Sequence, residues 1–350
     1  MEKPKIAIVG GGVAGSTAGL YLSQLGLDIT LFEQGESLVS GPPFCHLHAG
    51  GNLYREISDE QCITLLQQSI DLLRYYPYAI DYRPTVIAIP TDDGGKPEDL
   101  YNRLHKLRNE YQLLIDKDPL NRVLGDSSDY FRLYSKDDIE RLKQKEIIKN
   151  PKSLDDWLIP VAHDVDLEKI QFPLIMVQEY GLNLFRLGGG VTYLLNQRDN
   201  ARVLFNTKVT DIKPKNNRES CILEYEQDGE KKRSKFDYLI NATGFRTGTI
   251  DDILGFKRDR LVEFKSAYVT KWENSDILYP EIVFYGERGT PRGMAQFTPY
   301  PNGYFQIHGM TPSITLFDKG LVKNSTNSSQ PLLEPKFIKK IEHKWEENEV

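Results

Sequence analysis

The stretch Ile6-Ala7-Ile8-Val9-Gly10-Gly11-Gly12-Val13-Ala14-Gly15 decides how this chain is read. Four apolar residues in a row, entered from Lys5, read as a short buried strand. Gly10, Gly12 and Gly15 then follow in the spacing Gly-x-Gly-x-x-Gly, and Val13 to about Leu25 reads as a helix stopped by Gly26. Each glycine has a physical task. Gly10 permits a tight turn. Gly12 lets backbone approach a pyrophosphate where any Cβ would clash, and Gly15 lets helix and strand pack closely. A pyrophosphate at this turn would sit on the helix N-terminus, opened by Val13 and Ala14, where free N–H groups and the helix dipole favour an anion.

Asp28 to Glu33 reads as a second strand. Glu33 lies 23 positions after Gly10. At the end of that strand, beside Gln34, its carboxylate can accept hydrogen bonds from adenosine ribose hydroxyls, and it disfavours a 2′-phosphate. Strand, glycine turn, helix, strand and terminal acid together predict a dinucleotide-binding unit over the first forty residues.

A second signature lies far along the chain. Val203 to Ile212 is β-rich. Cys221 to Glu226, a turn at Asp228-Gly229, and Lys231 to Lys235 predict a hairpin. Asp237 to Asn241 is then a strand ending in Ala242-Thr243-Gly244. This resembles the second signature of FAD-binding oxidoreductases, a strand ending Ala-Thr-Gly beside the first glycine loop, preceded by a β-meander. The chain resembles the FAD-dependent oxidoreductases of the D-amino-acid oxidase and glycine oxidase superfamily, over about 1–55 and 180–250. Asn206-Thr207-Lys208-Val209-Thr210-Asp211-Ile212 resembles the family strand whose valine backbone contacts the adenine, which assigns that contact to Val209. The resemblance implies FAD as cofactor, with Ala242, Thr243 and Gly244 beside the glycine turn.

It also bears on the loop Gly41-Pro42-Pro43-Phe44-Cys45-His46-Leu47-His48-Ala49-Gly50-Gly51-Asn52. In the resembling family this loop passes the isoalloxazine ring, and some members carry a His-Ala-Gly-like run whose histidine is bonded to the flavin. Flavin contact by His48, Ala49 and Gly50 is expected here, covalent attachment is not. His46 and His48 offer no third metal ligand nearby, so no metal is expected.

What reduces the flavin is read by elimination. Disulfide reductases carry a cysteine pair about five apart, whereas Cys45 and Cys62 are 17 apart. A second nucleotide fingerprint would mark reduction by NAD(P)H. The one candidate, Gly188-Gly189-Gly190-Val191-Thr192-Tyr193, has Tyr at the third glycine's place and reads as a turn. Aromatic hydroxylases carry a Gly-Asp motif from which Gly286-Glu287-Arg288-Gly289 departs. The expected activity is therefore oxidation of a small amine, amino acid or hydroxy acid by hydride transfer to FAD. A flavin-dependent aromatic hydroxylase or a non-catalytic FAD-binding protein is the alternative, and the electron acceptor is left open. Arg292, in a glycine-rich loop, is a candidate carboxylate clamp. His308, ending the strand Tyr304-Phe305-Gln306-Ile307-His308, is a candidate proton acceptor. For each, a surface arginine and a packed histidine are readings of equal weight. Tyr300 and Tyr304 are candidate pocket walls or core.

The totals bound this reading. At 350 residues two domains are expected. A net charge of −6 and a pI near 5.7 point to neither nucleic acid nor an anionic membrane. Three scattered cysteines suggest a reducing cytoplasm, and no apolar stretch reaches the ~18 residues of a membrane span. The fold expected is α/β: a Rossmann-like FAD-binding domain of the ββα type with a β-meander, plus a second α+β substrate domain. The FAD domain is expected at 1–95 and 176–255, the substrate domain at 96–175 and 256–323, and a linker and C-terminal helix at 324–350. Helices are expected over Glu60–Tyr76 and Glu98–Ile115, and strands at Thr85–Pro90, Ile282–Tyr285 and Tyr304–His308. The stretch 116–175 resists placement. In the resembling family the chain returns to the FAD domain with a final glycine-rich turn. Nothing after Tyr304 fits that, which suggests a truncated chain.

Overall fold

The computed structural model describes residues 3–39, 55–215, 219–263, 268–272, 276–287, 289–300, 303–311 and 321–332. By contacts the chain forms two units, each discontinuous in sequence. One gathers the described residues of Met1–Pro43, Asn183–Phe264 and Gly320–His343, the other those of Phe44–Leu182, Lys265–Lys319 and Lys344–Val350.

The first unit is built on a parallel sheet. Strand β1 (Lys5–Val9) lies between β2 (Asp28–Phe32) and the strand Tyr238–Asn241, and Ala201–Leu204 extends the sheet beyond β2. Ile6, Ala7, Ile8 and Val9 are all buried, as a central parallel strand covered on both faces requires. Helix α1 (Val13–Gln24) buries Gly15, Ser16, Gly19, Leu20 and Ser23, a face of mostly small residues that brings the helix close to the sheet.

A three-stranded antiparallel meander follows, Thr207–Lys215, Ser220–Gln227 and Glu230–Phe236. Asp228 and Gly229 both take positive φ (52° and 82°), the tight hairpin turn whose twist matches the strands. Tyr225 and Phe236 pack edge-on to Phe32, with ring centroids 5.1 and 5.7 Å away, so the meander sits on β2.

One element differs from expectation. The run Gly188–Tyr193 is not a turn. It lies inside the helix Leu184–Asn196, capped by the Asn183 side chain, which accepts from the Arg186 N–H. Leu184, Leu187, Val191 and Leu195 give it a buried stripe. A Cβ at Gly188 would lie 2.9 Å from the Leu38 carbonyl oxygen, so the glycine allows a close approach that outweighs its poor helix propensity of about 1 kcal/mol.

The chain also returns to this unit after residue 320. Leu321–Lys323 pairs with Leu261–Glu263, and Ser329 donates its N–H to Asp252 at 2.6 Å.

The second unit holds a seven-stranded sheet in the order Tyr268–Lys271, Tyr304–Gly309, Ala295–Pro299, Glu281–Phe284, Thr85–Pro90, Ile170–Val177, Phe131–Tyr134. Only the Glu281–Phe284 and Thr85–Pro90 pair is parallel. Side chains alternate along its strands. Ile87, Ile89, Ile175, Val177 and Val283 meet the helices Asp59–Tyr75 and Tyr101–Lys117. Val86, Ala88, Leu174, Met176 and Ile282 meet Lys136–Lys143 and Leu154–Asp164. Thr85–Pro90 is thus central to the second sheet, and the described residues 55–95, which the sequence reading gave to the FAD domain, belong to the second unit. The unplaced stretch 116–175 supplies two strands and two helices, both helices started by capping boxes, Ser135 with Asp138 and Ser153 with Asp156.

Candidate active site

The glycine turn has the geometry its spacing predicts. Gly10 sits at φ +102°, and a Cβ there would lie 2.4 Å from the Ala242 carbonyl oxygen. A Cβ at Gly15 would lie 1.9 Å from the Gly10 oxygen. Both glycines are therefore demanded by the protein's own backbone. Gly12 is different: a Cβ there meets nothing within 4 Å. It is the N-cap of α1, no side chain caps the helix, and no acidic residue occupies its first turn. The N–H groups of that turn, starting at Val13 and Ala14, face a position left clear of protein atoms, which fits a pyrophosphate. The turn is braced from behind by Ser16, whose Oγ donates to the Gly11 oxygen at 2.8 Å, and by the Val39 N–H, which donates to the same oxygen at 2.8 Å. Sequence reading did not single out Ser16, and only its place on the buried face of α1 could have pointed to it.

Glu33 is 8% exposed at the end of β2. Its Oε2 accepts from the Gly11 N–H and its Oε1 from the Gly35 N–H, both at 2.7 Å. Gln34 beside it is exposed. The Glu33 carbonyl accepts from the Thr207 N–H at 2.8 Å, which ties the strand bearing Val209 to the acid that ends β2. Tyr238–Asn241 runs parallel to β1, and the Ala242 N–H donates to the Val9 oxygen at 2.8 Å. Thr243 donates its hydroxyl to Asn241 at 2.8 Å, and Gly244 takes φ +57°. Gly10, Gly12, Gly15, Glu33, Ala242, Thr243 and Gly244 thus gather at one edge of the first sheet. His48, Ala49 and Gly50 lie outside the described residues.

The two catalytic candidates lie in the second unit. Arg292 is largely exposed, with its guanidinium 3.1 Å from Asp92. His308 is half-buried on Tyr304–Gly309, opposite Gln296 in register. A second guanidinium near Asp92 escaped sequence reading: Arg55 pairs with Asp93 and stacks over the Tyr285 ring at 5.0 Å. So did a buried polar group with no local signal, because its members are distant in sequence. Arg83, 4% exposed, donates to Glu281, 3% exposed, at 2.7 Å, and Gln296 lies beside the same carboxylate. Register puts Glu281, Gln296 and His308 on one face of the sheet. Among the described residues no group of three or more His, Cys, Asp or Glu could hold a metal ion, and no helix is long and apolar enough to cross a membrane.

A parallel sheet with a glycine turn at a helix N-terminus, an acid ending the second strand and a β-meander defines a flavoprotein-type dinucleotide fold. Comparison with known proteins carries this further. Residues 5–138 match the model of the FAD dependent oxidoreductase family (DAO). The structure is similar to L-proline dehydrogenase from P. horikoshii, with 16% identity, 87% of this chain and 69% of that chain covered, and a TM-score of 0.53. It is similar to the FAD-bound L-α-glycerophosphate oxidase of Mycoplasma pneumoniae, with 15% identity, 93% and 73% covered, and a TM-score of 0.53. It is also similar to glycine oxidase from Geobacillus kaustophilus, with 13% identity, 93% and 73% covered, and a TM-score of 0.50. A search of curated proteins finds no match. Over residues 5–138 the chain is similar to the FAD-dependent oxidoreductases, and the solved structures share its fold.

Proposed function

We propose that this enzyme oxidises a small amine, amino acid or hydroxy acid, with hydride passing to the flavin. The observation that carries this reading is the fate of the two glycine runs. Gly10–Gly15 opens a helix after a strand and leaves clear space at Gly12. Gly188–Gly190 lies within a helix, against the Leu38 backbone, where no phosphate can approach Gly188. A single dinucleotide turn among the described residues favours an organic reductant over NAD(P)H.

FAD supplies the two-electron acceptor. The residues of this chain do the rest. The first turn of α1 would hold the pyrophosphate, Glu33 would accept from the adenosine ribose, and the Val209 backbone would meet the adenine. The family resemblance assigns His48, Ala49 and Gly50, outside the described residues, to the flavin ring. Arg292 exchanges Asp92 for a substrate carboxylate, a substitution made easy by the exposure of that ion pair. His308 takes a proton from the substrate's amine or hydroxyl. Cys62 and Cys221 are free and buried, in keeping with a reducing, cytoplasmic setting.

The test is an absorption spectrum of the purified protein, followed by anaerobic titration with amino acids and hydroxy acids. Bleaching of the flavin by one of these supports the reading. Bleaching by NADPH at catalytic rates overturns it and favours the hydroxylase.

A further inference from the structure

We infer that the first unit carries a self-association surface, formed by the outer faces of α1 and the helix Leu184–Asn196, whose partner is a second copy of this chain. The two helices pack against each other. Asn200 ties their C-terminal ends together, its side-chain NH₂ donating to the Ser23 and Leu27 carbonyls at 2.9 and 2.7 Å. Each helix buries one stripe of residues and turns the other outward. On the outer side Tyr21 and Leu25 are 53% and 61% exposed, and Phe185 and Tyr193 are 74% and 65% exposed. Phe185, Gly189 and Tyr193 recur every four residues and so share one face.

The surface is uncharged as well as apolar. Helix α1 contains no Asp, Glu, Lys or Arg, and Leu184–Asn196 contains Arg186 alone, in a chain that is 27% charged. A helix face turned to water normally carries charges. Depletion of charge around exposed aromatic rings is the composition of an interface centre. At these exposures the four side chains offer roughly 500 Å² on each copy. A standard interface takes about 800 Å² from each partner, so they supply more than half of it. A membrane surface is the wrong occupant. It selects Lys and Arg along the polar flank of an apolar helix face, and the net charge of this chain is −6.

Gly189 identifies the occupant. A Cβ at Gly188 would meet the Leu38 carbonyl, but a Cβ at Gly189 meets nothing within 4 Å. The fold of the single chain therefore does not call for this glycine, which is among the poorest residues for a helix interior. A neighbour that comes close to the helix backbone from outside does call for it. Gly189 lies midway between Phe185 and Tyr193. A two-fold axis passing over Gly189, with the two copies of the helix antiparallel, sets glycine against glycine. It also sets Phe185 of each copy against Tyr193 of the other. The face is thus complementary to itself, as an isologous contact requires, and two aromatic pairs form at once.

The test is sedimentation velocity on the full-length, FAD-loaded protein over a micromolar dilution series. The wild type should sediment at twice the mass of the chain. Tyr193→Glu, at an exposed position, should raise the dimer dissociation constant at least about ten-fold, because the new charge enters the interface twice. Gly189→Leu should raise it as much, while the Tm of the dilute monomer holds or rises, since leucine is the better helix former. Under mild oxidation Gly189→Cys should give a covalent dimer on non-reducing gels where the wild type gives none, because only a residue at the axis meets its own copy. A monomeric wild type throughout the series would overturn the assignment. So would a wild-type dissociation constant in both Tyr193→Glu and Gly189→Leu, a lowered monomer Tm in Gly189→Leu, or no covalent dimer of Gly189→Cys.

Discussion

Substituting Gly12 and Gly15 separately by alanine should divide cofactor binding from folding. Gly12 has φ −65° and ψ −177°, which any residue adopts, and its Cβ position is open. As an N-cap, alanine is poorer than glycine by roughly 0.5–1 kcal/mol. Loss of glycine's freedom in the unfolded chain returns about 0.4–1 kcal/mol. The two nearly cancel, so apoprotein stability should change by less than about 1 kcal/mol. The methyl group nevertheless projects where the pyrophosphate must come. Losing one charge-assisted hydrogen bond there costs about 1.5–3 kcal/mol, or roughly 10- to 150-fold in FAD affinity. Gly15→Ala acts on the protein itself. Its Cβ would lie 1.9 Å from the Gly10 oxygen, a backbone atom, so helix and turn must separate. Overpacking of this kind costs about 1–3 kcal/mol or more. At about 2–4 °C per kcal/mol, the apoprotein Tm should fall by roughly 2–12 °C. Thermal melts of apoprotein and calorimetric FAD titration read the two effects. FAD binding by Gly12→Ala within three-fold of wild type, or an unchanged Tm for Gly15→Ala, would refute the reasoning.

Other outcomes test other parts of the molecule. Glu281→Ala leaves the buried Arg83 guanidinium uncompensated and should destabilise the second unit by about 3–5 kcal/mol in urea unfolding, while a wild-type midpoint would show that water or Asp81 suffices. Burial pushes the Cys62 and Cys221 thiols up, so in native protein at pH 8 both should resist a thiol reagent that modifies them in denaturant, and rapid native labelling of either, located by mass spectrometry, would contradict the packing. Hydrogen bonds from Lys106 and Arg103 hold the Asp59 carboxyl below its usual range. The unfolded chain then binds the extra proton, so this contribution is full above about pH 4 and lost as the pH falls below it. Asp59→Asn should therefore flatten the acid limb of Tm against pH, and an unchanged slope would remove Asp59 from the account.

The cofactor half was legible because its constraints are local. The spacing of Gly10, Gly12 and Gly15 fixes a turn within six residues, and the Asp228-Gly229 turn fixes a hairpin within two. Ala242-Thr243-Gly244 became legible only through resemblance, since nothing in the sequence says that Tyr238–Asn241 lies beside β1. The glycine run at 188–190 misled for a related reason: glycine marks close approach as well as turns, and here the approach is to the Leu38 backbone. The capping boxes at Ser135 and Ser153 were readable signals in a stretch left unplaced, with Asp at N3 in place of the commoner Glu or Gln. The buried pairing of Arg83 with Glu281 was not readable at all. The partners are 198 residues apart, and each alone looks like a surface charge.

Glu33 has an engagement that its spacing alone did not reveal. The spacing assigns it to the ribose. The structure gives it a prior engagement, with each carboxylate oxygen accepting a backbone N–H, from Gly11 and from Gly35. Each oxygen keeps a second lone pair, so ribose hydroxyls can still be accepted. One side chain therefore holds the middle of the glycine turn against the end of β2 and presents an acceptor to the ligand from the same atoms. A glutamine could not do both, because its NH₂ would face one of the two N–H donors. The loop itself calls for an acid at this position, and the residue expected to meet the ribose is also the one that shapes the glycine turn.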